Sequence, residues 1–109
     1  MGFDTHPCHA LAAKYFRGGG SCVLTVELKG SLESTVNFVE SLELAAHMVM
    51  IGDSITVVTH PASTTHKLLS EADLVAAGVT PTLLRISVGL EDPEDIIADF
   101  YNALDKMDV

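Results

Sequence analysis

Basic residues are scarce in this chain: across 109 residues, six Lys plus Arg stand against fifteen Asp plus Glu, a formal net charge of −9. A surface of that sign argues against nucleic acid or an anionic membrane as a partner. Long apolar runs are missing as well, with nothing near the roughly 20 residues that would span a bilayer. The start, Met-Gly-Phe-Asp-Thr-His-Pro, has neither the basic end nor the apolar centre of a secretion signal. Cysteine occurs only as Cys8 and Cys22, which read as reduced thiols of a cytoplasmic protein. Repeats, low-complexity tracts and linkers are absent. Apolar residues, by contrast, make up 48% of the chain and charged ones 19%. That balance predicts one folded domain over residues 1–109 with a modest core.

Periodicity divides the chain into seven elements. Residues 9–16 read as a short helix with Leu11 and Tyr15 on one side, and Gly18-Gly19-Gly20 ends it. Residues 22–28 alternate as a strand, with Cys22, Leu24, Val26 and Leu28 on its apolar face. Residues 31–48 read as the longest helix, striped by Thr35, Phe38, Val39, Leu42, Ala45, Ala46 and Val49. Residues 55–59 are β-branched and strand-like until Pro61, which has no N–H for a ladder. Ser70 caps a two-turn helix that Gly78 stops. Residues 84–88 form a third strand. Asp92 and Pro93 then open a last helix with Ile96, Ile97, Phe100 and Leu104 as its expected buried stripe. A small antiparallel or mixed sheet covered by helices follows, α+β in class.

Arg85 is the residue most in need of explanation. On its strand Leu84, Ile86 and Val88 share one face, and Arg85 shares the other with Ser87. A guanidinium among apolar neighbours stays charged and requires a carboxylate or phosphate in its fork. The strand pattern alone leaves two solutions open: a ligand's anion, or an internal partner such as Glu91. The loop His60-Pro61-Ala62-Ser63-Thr64-Thr65-His66 has enough hydroxyls to order its own turn.

Other combinations fail on chemistry. His60 and His66 are six apart, a spacing that suits no common zinc pair. His6, Cys8 and His9 could begin a metal site, but no second cluster completes a tetrahedron. Ser63, His60 and Asp53 make a triad on paper without any Gly-x-Ser-x-Gly elbow. The glycine triplet runs from helix to strand, the reverse of a phosphate loop.

Arg85 in Leu84-Arg85-Ile86-Ser87-Val88-Gly89, the His60–His66 run, His6-Pro7-Cys8-His9-Ala10-Leu11-Ala12 and Val26-Glu27-Leu28-Lys29-Gly30 are found together at these separations. Together they resemble the C-terminal end of the pyridoxal-phosphate (PLP) enzymes of cysteine and methionine metabolism. The Ser-Thr-Thr-His form looks most like the O-acetylhomoserine sulfhydrylases. The resemblance covers almost the whole chain, and it implies the C-terminal small domain of the aspartate-aminotransferase-like (type I) PLP fold.

By that resemblance Arg85 holds the α-carboxylate of an amino-acid substrate, Thr65 lies nearest that substrate in the active-site loop, and Thr56 takes the place of a Ser whose backbone touches the carboxylate. Thr56 for Ser and Met50 for the usual Asn are departures from the pattern. Lys14-Tyr15 imitates the PLP-bearing lysine motif, but Ala12 and Ala13 stand where its hydroxyls belong, so an exposed helical lysine is expected.

The resemblance therefore implies a truncated domain whose parent, using PLP, replaces or eliminates a γ-substituent of O-acetylhomoserine or a related amino acid. No cofactor is expected on this chain, which by itself should be inert. A dimer is expected from an apolar face left uncovered. The competing readings are a stand-alone interaction module and a small metal-binding protein using His6, Cys8 and His9.

Overall fold

A computed structural model describes residues 2–107. Four strands, β1 (Val23–Glu27), β2 (Ala46–His47), β3 (Val57–Thr59) and β4 (Leu83–Ser87), form one mixed sheet in the order β1-β4-β3-β2. β4 runs antiparallel to both neighbours, placing Arg85 level with Thr25 on one side and Thr59 on the other. β2 joins β3 in parallel, with Ala46 level with Val57. The helices are α1 (His9–Tyr15), α2 (Leu32–Glu40), α3 (Glu71–Ala76) and α4 (Pro93–Asp105), and a 3-10 turn covers Pro61–Ser63. The α+β expectation stands.

Alternation along β1 and β4 creates two unlike faces. One carries Val26, Leu84, Ile86 and Val58, and packs against Phe38 and Val39 of α2 and Ala103 of α4. The rings of Phe38 and Phe100 meet at 5.8 Å with a 56° tilt, which fixes how α2 and α4 lie together. The other face carries Arg85, Ser87, Thr25, Thr59 and Val57. Ser31 starts α2 through a reciprocal bond with Ser34, and Asp92 starts α4 by accepting from the N–H of Glu94. Ser70 likewise caps α3, and Gly78 at φ 72° ends that turn, as expected.

Two expectations need correction. The helix expected over residues 31–48 ends at Glu40, and Ala46–His47 forms an edge strand that the periodicity concealed. The cause is tertiary. The carboxylate of Asp99 on α4 accepts from the backbone N–H groups of Glu43 (2.8 Å), Leu44 (3.1 Å) and Ala45 (2.9 Å). Those amides cannot also serve a helix. Ala46 N–H then donates to Thr56 O and continues as a ladder, while Val49, expected in the stripe, is exposed.

The buried face of α4 is also rotated from the expected one. Asp99 and Ala103 are its buried residues, whereas Ile97 and Leu104 are 53% and 39% exposed. The polar Asp99 faces inward because three amides await it.

Candidate functional site

Arg85 sits mid-strand on the sheet face opposite α2 and α4, between two threonines. Residues 48–52 cross this face and are tacked down at three points. The Thr59 hydroxyl donates to Met48 O, an Nη2–H of Arg85 points at Met50 O from 3.5 Å, and Gly52 N–H donates to Ser87 Oγ at 2.9 Å. Arg85 Nη2 also lies 3.3 Å from Thr59 Oγ1. Both arginine contacts are longer than the usual 2.7–3.2 Å, so they steer the guanidinium without satisfying it.

Arg85 Nε is buried and has no partner. Among the described residues no carboxylate lies within ion-pair distance of Arg85, whose side chain remains partly open to solvent. An always-charged fork with an orphaned donor is an anion site in waiting, since a buried unpaired donor costs about 1–3 kcal/mol until something accepts from it. The exposed Met48, Val49, Met50 and Ile51 give the site an apolar rim.

Glu91, the internal partner that the strand pattern left open for Arg85, is engaged elsewhere. Its Oε1 accepts from Thr56 N–H at 2.7 Å, and its Oε2 from the Thr56 hydroxyl at 2.8 Å. The same hydroxyl accepts from Gly89 N–H at 2.9 Å. Thr56 is fully buried, and its N–H, C=O and hydroxyl are all spent inside the protein. Any side chain at Gly89 would collide with the backbone at Ile55 and Thr56 and with the Glu91 carboxylate, so glycine is required after Val88.

Hydrogen bonds to Glu91 from the Thr56 backbone and then from its own N–H, with the Thr56 hydroxyl adding to them, hold its carboxyl below the ordinary value of 4.5; partial burial opposes this. A depressed folded-state pKa stabilises above the unfolded value and is lost as pH falls through the folded one. Urea melts from about pH 5 to about pH 3 should therefore show a shallower acid limb for Glu91→Gln than for the parent. Superimposed limbs would mean that the clasp on Thr56 carries no weight.

The expected site residues are not bonded to one another. Thr65 is exposed, and its hydroxyl meets His66 Nδ1 at 2.7 Å. Arg85 bonds neither Thr56 nor Thr65 among the described residues. Ser63 and His60 of the paper triad do meet, at 2.8 Å, but the other ring nitrogen of the fully buried His60 lies 2.8 Å from Pro81 O. A carbonyl only accepts, so Nε2 carries the proton and Nδ1 receives the Ser63 hydroxyl. The pair pins the turn after β3 to the segment before β4. Thr59 and Met50 O, which hold Arg85, were missed from sequence because only strand register reveals them.

The remaining candidates stay apart. His6 Nδ1 accepts from Cys8 N–H at 3.0 Å, and His9 Nε2 lies 3.4 Å from Asp4. Among the described residues no three His, Cys, Asp or Glu side chains are gathered as a metal would need. Lys14 is exposed and lies over the Tyr15 ring at 5.3 Å. No helix among the described residues is long and apolar enough to cross a membrane.

This mixed sheet, with helices on one face and Arg85 on the other, is a domain of the type I PLP fold. It superposes on a cystathionine gamma synthase from Xanthomonas oryzae pv. oryzae, solved in complex with cystathionine, with a TM-score of 0.84 and 35% identity, over 96% of this chain and 27% of that one. Residues 1–105 match the model of the Cys/Met metabolism PLP-dependent enzymes, and the chain belongs to that family.

An O-acetyl-L-homoserine sulfhydrylase from Thermus thermophilus is 46% identical over 103 residues, which are 94% of this chain and 24% of that protein. An L-methionine gamma-lyase from Fusobacterium nucleatum is 42% identical over 106 residues, 97% of this chain and 27% of that protein. The chain thus spans about a quarter of the length of the curated relatives it matches.

Proposed function

We propose that this chain is the substrate-carboxylate-binding C-terminal domain of a PLP-dependent sulfhydrylase or transsulfuration enzyme, of the O-acetylhomoserine γ-replacement type, and that it is inert by itself. The observation that carries the reading is the unpaired Arg85 guanidinium, aimed from a central strand and left with a buried donor unused. Arg85 takes the α-carboxylate of the amino-acid substrate in its fork. Thr59 and Met50 O keep the fork turned toward the open face. Thr65, exposed on the neighbouring loop, offers its hydroxyl to the rest of the substrate. Thr56 acts one step back: held by Glu91, it sets the start of β3 and so the segment that overlies Arg85.

The described residues do not fit PLP itself. Lys14 rests on Tyr15, Lys106 pairs with Glu43 at 3.2 Å, and Lys29 and Lys67 lie exposed at the surface. PLP would supply the electron sink in the whole enzyme, held by residues outside this domain.

Two experiments test the reading. Residues 1–105 exchanged for the matching C-terminal segment of the Thermus sulfhydrylase should support γ-replacement on O-acetylhomoserine. A folded, PLP-loaded chimaera without turnover would overturn the assignment. The isolated chain, incubated with PLP, reduced with borohydride and mapped, should show no stoichiometric labelling at any single lysine. Selective labelling of Lys14 would contradict the proposed inertness.

A further inference from the structure

His60 is fully buried and does not itself touch Arg85. It follows Thr59, which stands level with Arg85, so it sits where the sheet gives way to the turn that carries Thr65. A ring enclosed to this degree keeps its partners whatever chain surrounds the domain. Both of its nitrogens are engaged, each at 2.8 Å, one with Ser63 Oγ inside the turn and the other with Pro81 O, two residues before β4.

The turn is wound largely on itself. The Thr64 hydroxyl donates to His60 O at 2.7 Å, His66 N–H donates to Pro61 O at 2.9 Å, and Thr65 meets His66 at 2.7 Å. Among the described residues, His60 makes the only side-chain hydrogen bond that joins residues 60–66 to another part of the chain. A turn held by its own bonds moves as a unit. One imidazole therefore fixes where Thr65 stands relative to β4, whose third residue is Arg85.

Filling space does not account for this arrangement. An apolar side chain of similar size would pack as well and would oblige the fold to supply no buried partners. The ring needs two, a hydroxyl for Nδ1 and a carbonyl for Nε2, and both are met in one tautomer and one orientation. A buried polar group satisfied in full contributes a unique geometry more than it contributes stability.

We propose that His60, locked by Ser63, is a positioning residue for the amino-acid substrate: it holds the Thr65 turn at a set distance from Arg85, so that both meet one substrate at once. The proposal rests on the carboxylate reading of Arg85 and on the contact assigned to Thr65.

The test is a double-mutant cycle in the whole enzyme. His60→Leu should lower kcat/KM for the amino-acid substrate roughly tenfold and Ser63→Ala about threefold, whereas His60→Gln, which keeps an N–H for Pro81 O, should recover part of the loss. In a Thr65→Ala background both losses should shrink to less than about twofold, because the group being positioned is gone. Hydrogen exchange on the 109-residue chain gives a second readout. His60→Leu should speed exchange at the His66 amide and leave the amides of β1 and β4 as they are. Losses of equal size with and without Thr65 overturn the proposal, and so does faster exchange throughout the sheet, since either marks His60 as an ordinary part of the core. Should His60→Leu fail to fold, Ser63→Ala carries the same cycle. Arg85→Ala without effect would defeat the carboxylate reading, and the positioning role with it. A large loss for Arg85→Ala beside an uncoupled His60 would defeat the positioning role alone.

Discussion

Arg85→Ala in the whole enzyme is expected to weaken amino-acid substrate binding by about 2–5 kcal/mol, roughly thirtyfold to several thousandfold, the usual cost of removing one partner of a buried charge-assisted pair. KM should carry most of the loss, and the cofactor's absorbance should stay as it is, because among the described residues Arg85 bonds only Thr59 and Met50 O. Arg85→Lys keeps the charge but loses the planar fork, so it should recover only part of the affinity.

The same substitution in the isolated chain should barely alter the urea midpoint. Its two hydrogen bonds are long, at 3.3 and 3.5 Å, and its Nε has no partner to lose. Deleting an unsatisfied group removes a cost along with any benefit. A chain that fails to fold without Arg85 would reveal an internal ion pair and defeat the carboxylate reading.

Asp99→Ala should produce the largest loss of stability in the domain. One carboxylate, 8% exposed, accepts three consecutive amides from a segment more than fifty residues away. Its removal leaves those donors unpaired, that of Ala45 within the core. Hydrogen bonds to a charged group contribute about 1.5–3 kcal/mol each but do not add fully, so about 2–4 kcal/mol is expected. For a domain of this size that lowers the melting temperature by roughly 10 °C or more. Asp99→Asn keeps an acceptor and should lose less. Calorimetry showing Asp99→Ala within about 0.5 kcal/mol of the parent would mean that water replaces the carboxylate at no cost.

Local patterns were readable where the deciding forces are local. Alternation along residues 84–88 separated Leu84 and Ile86 from Arg85 and Ser87, because a strand's faces follow from its own period. Caps at Ser70 and Asp92 were readable for the same reason, as each side chain bonds an amide within three residues. Residues 41–48 misled, since their apolar spacing does suit a helix and the carboxylate that diverts them is remote in sequence. Asp99 itself misled by looking like a solvent residue, which turned the expected face of α4 toward Ile97 and Leu104. At the site, the wish of Arg85 for an anion could be read from its apolar neighbours. Its support by Thr59 could not, since that depends on which strand lies beside β4 and in what register.

The sheet owes little to the middle of the chain that joins β3 to β4. α3 buries no residue, and Leu68 is 99% exposed. The strands are instead fastened across the gap by His60 to Pro81 and by Glu91 to Thr56. Residues 67–78 are therefore a spacer, free to diverge in length while Thr65 and Arg85 stay where they are. Doubling such a connection costs only about 0.6 kcal/mol of closure entropy. Insertions and deletions among relatives should gather there, and an affinity handle or a foreign loop spliced into it would leave the carboxylate face undisturbed.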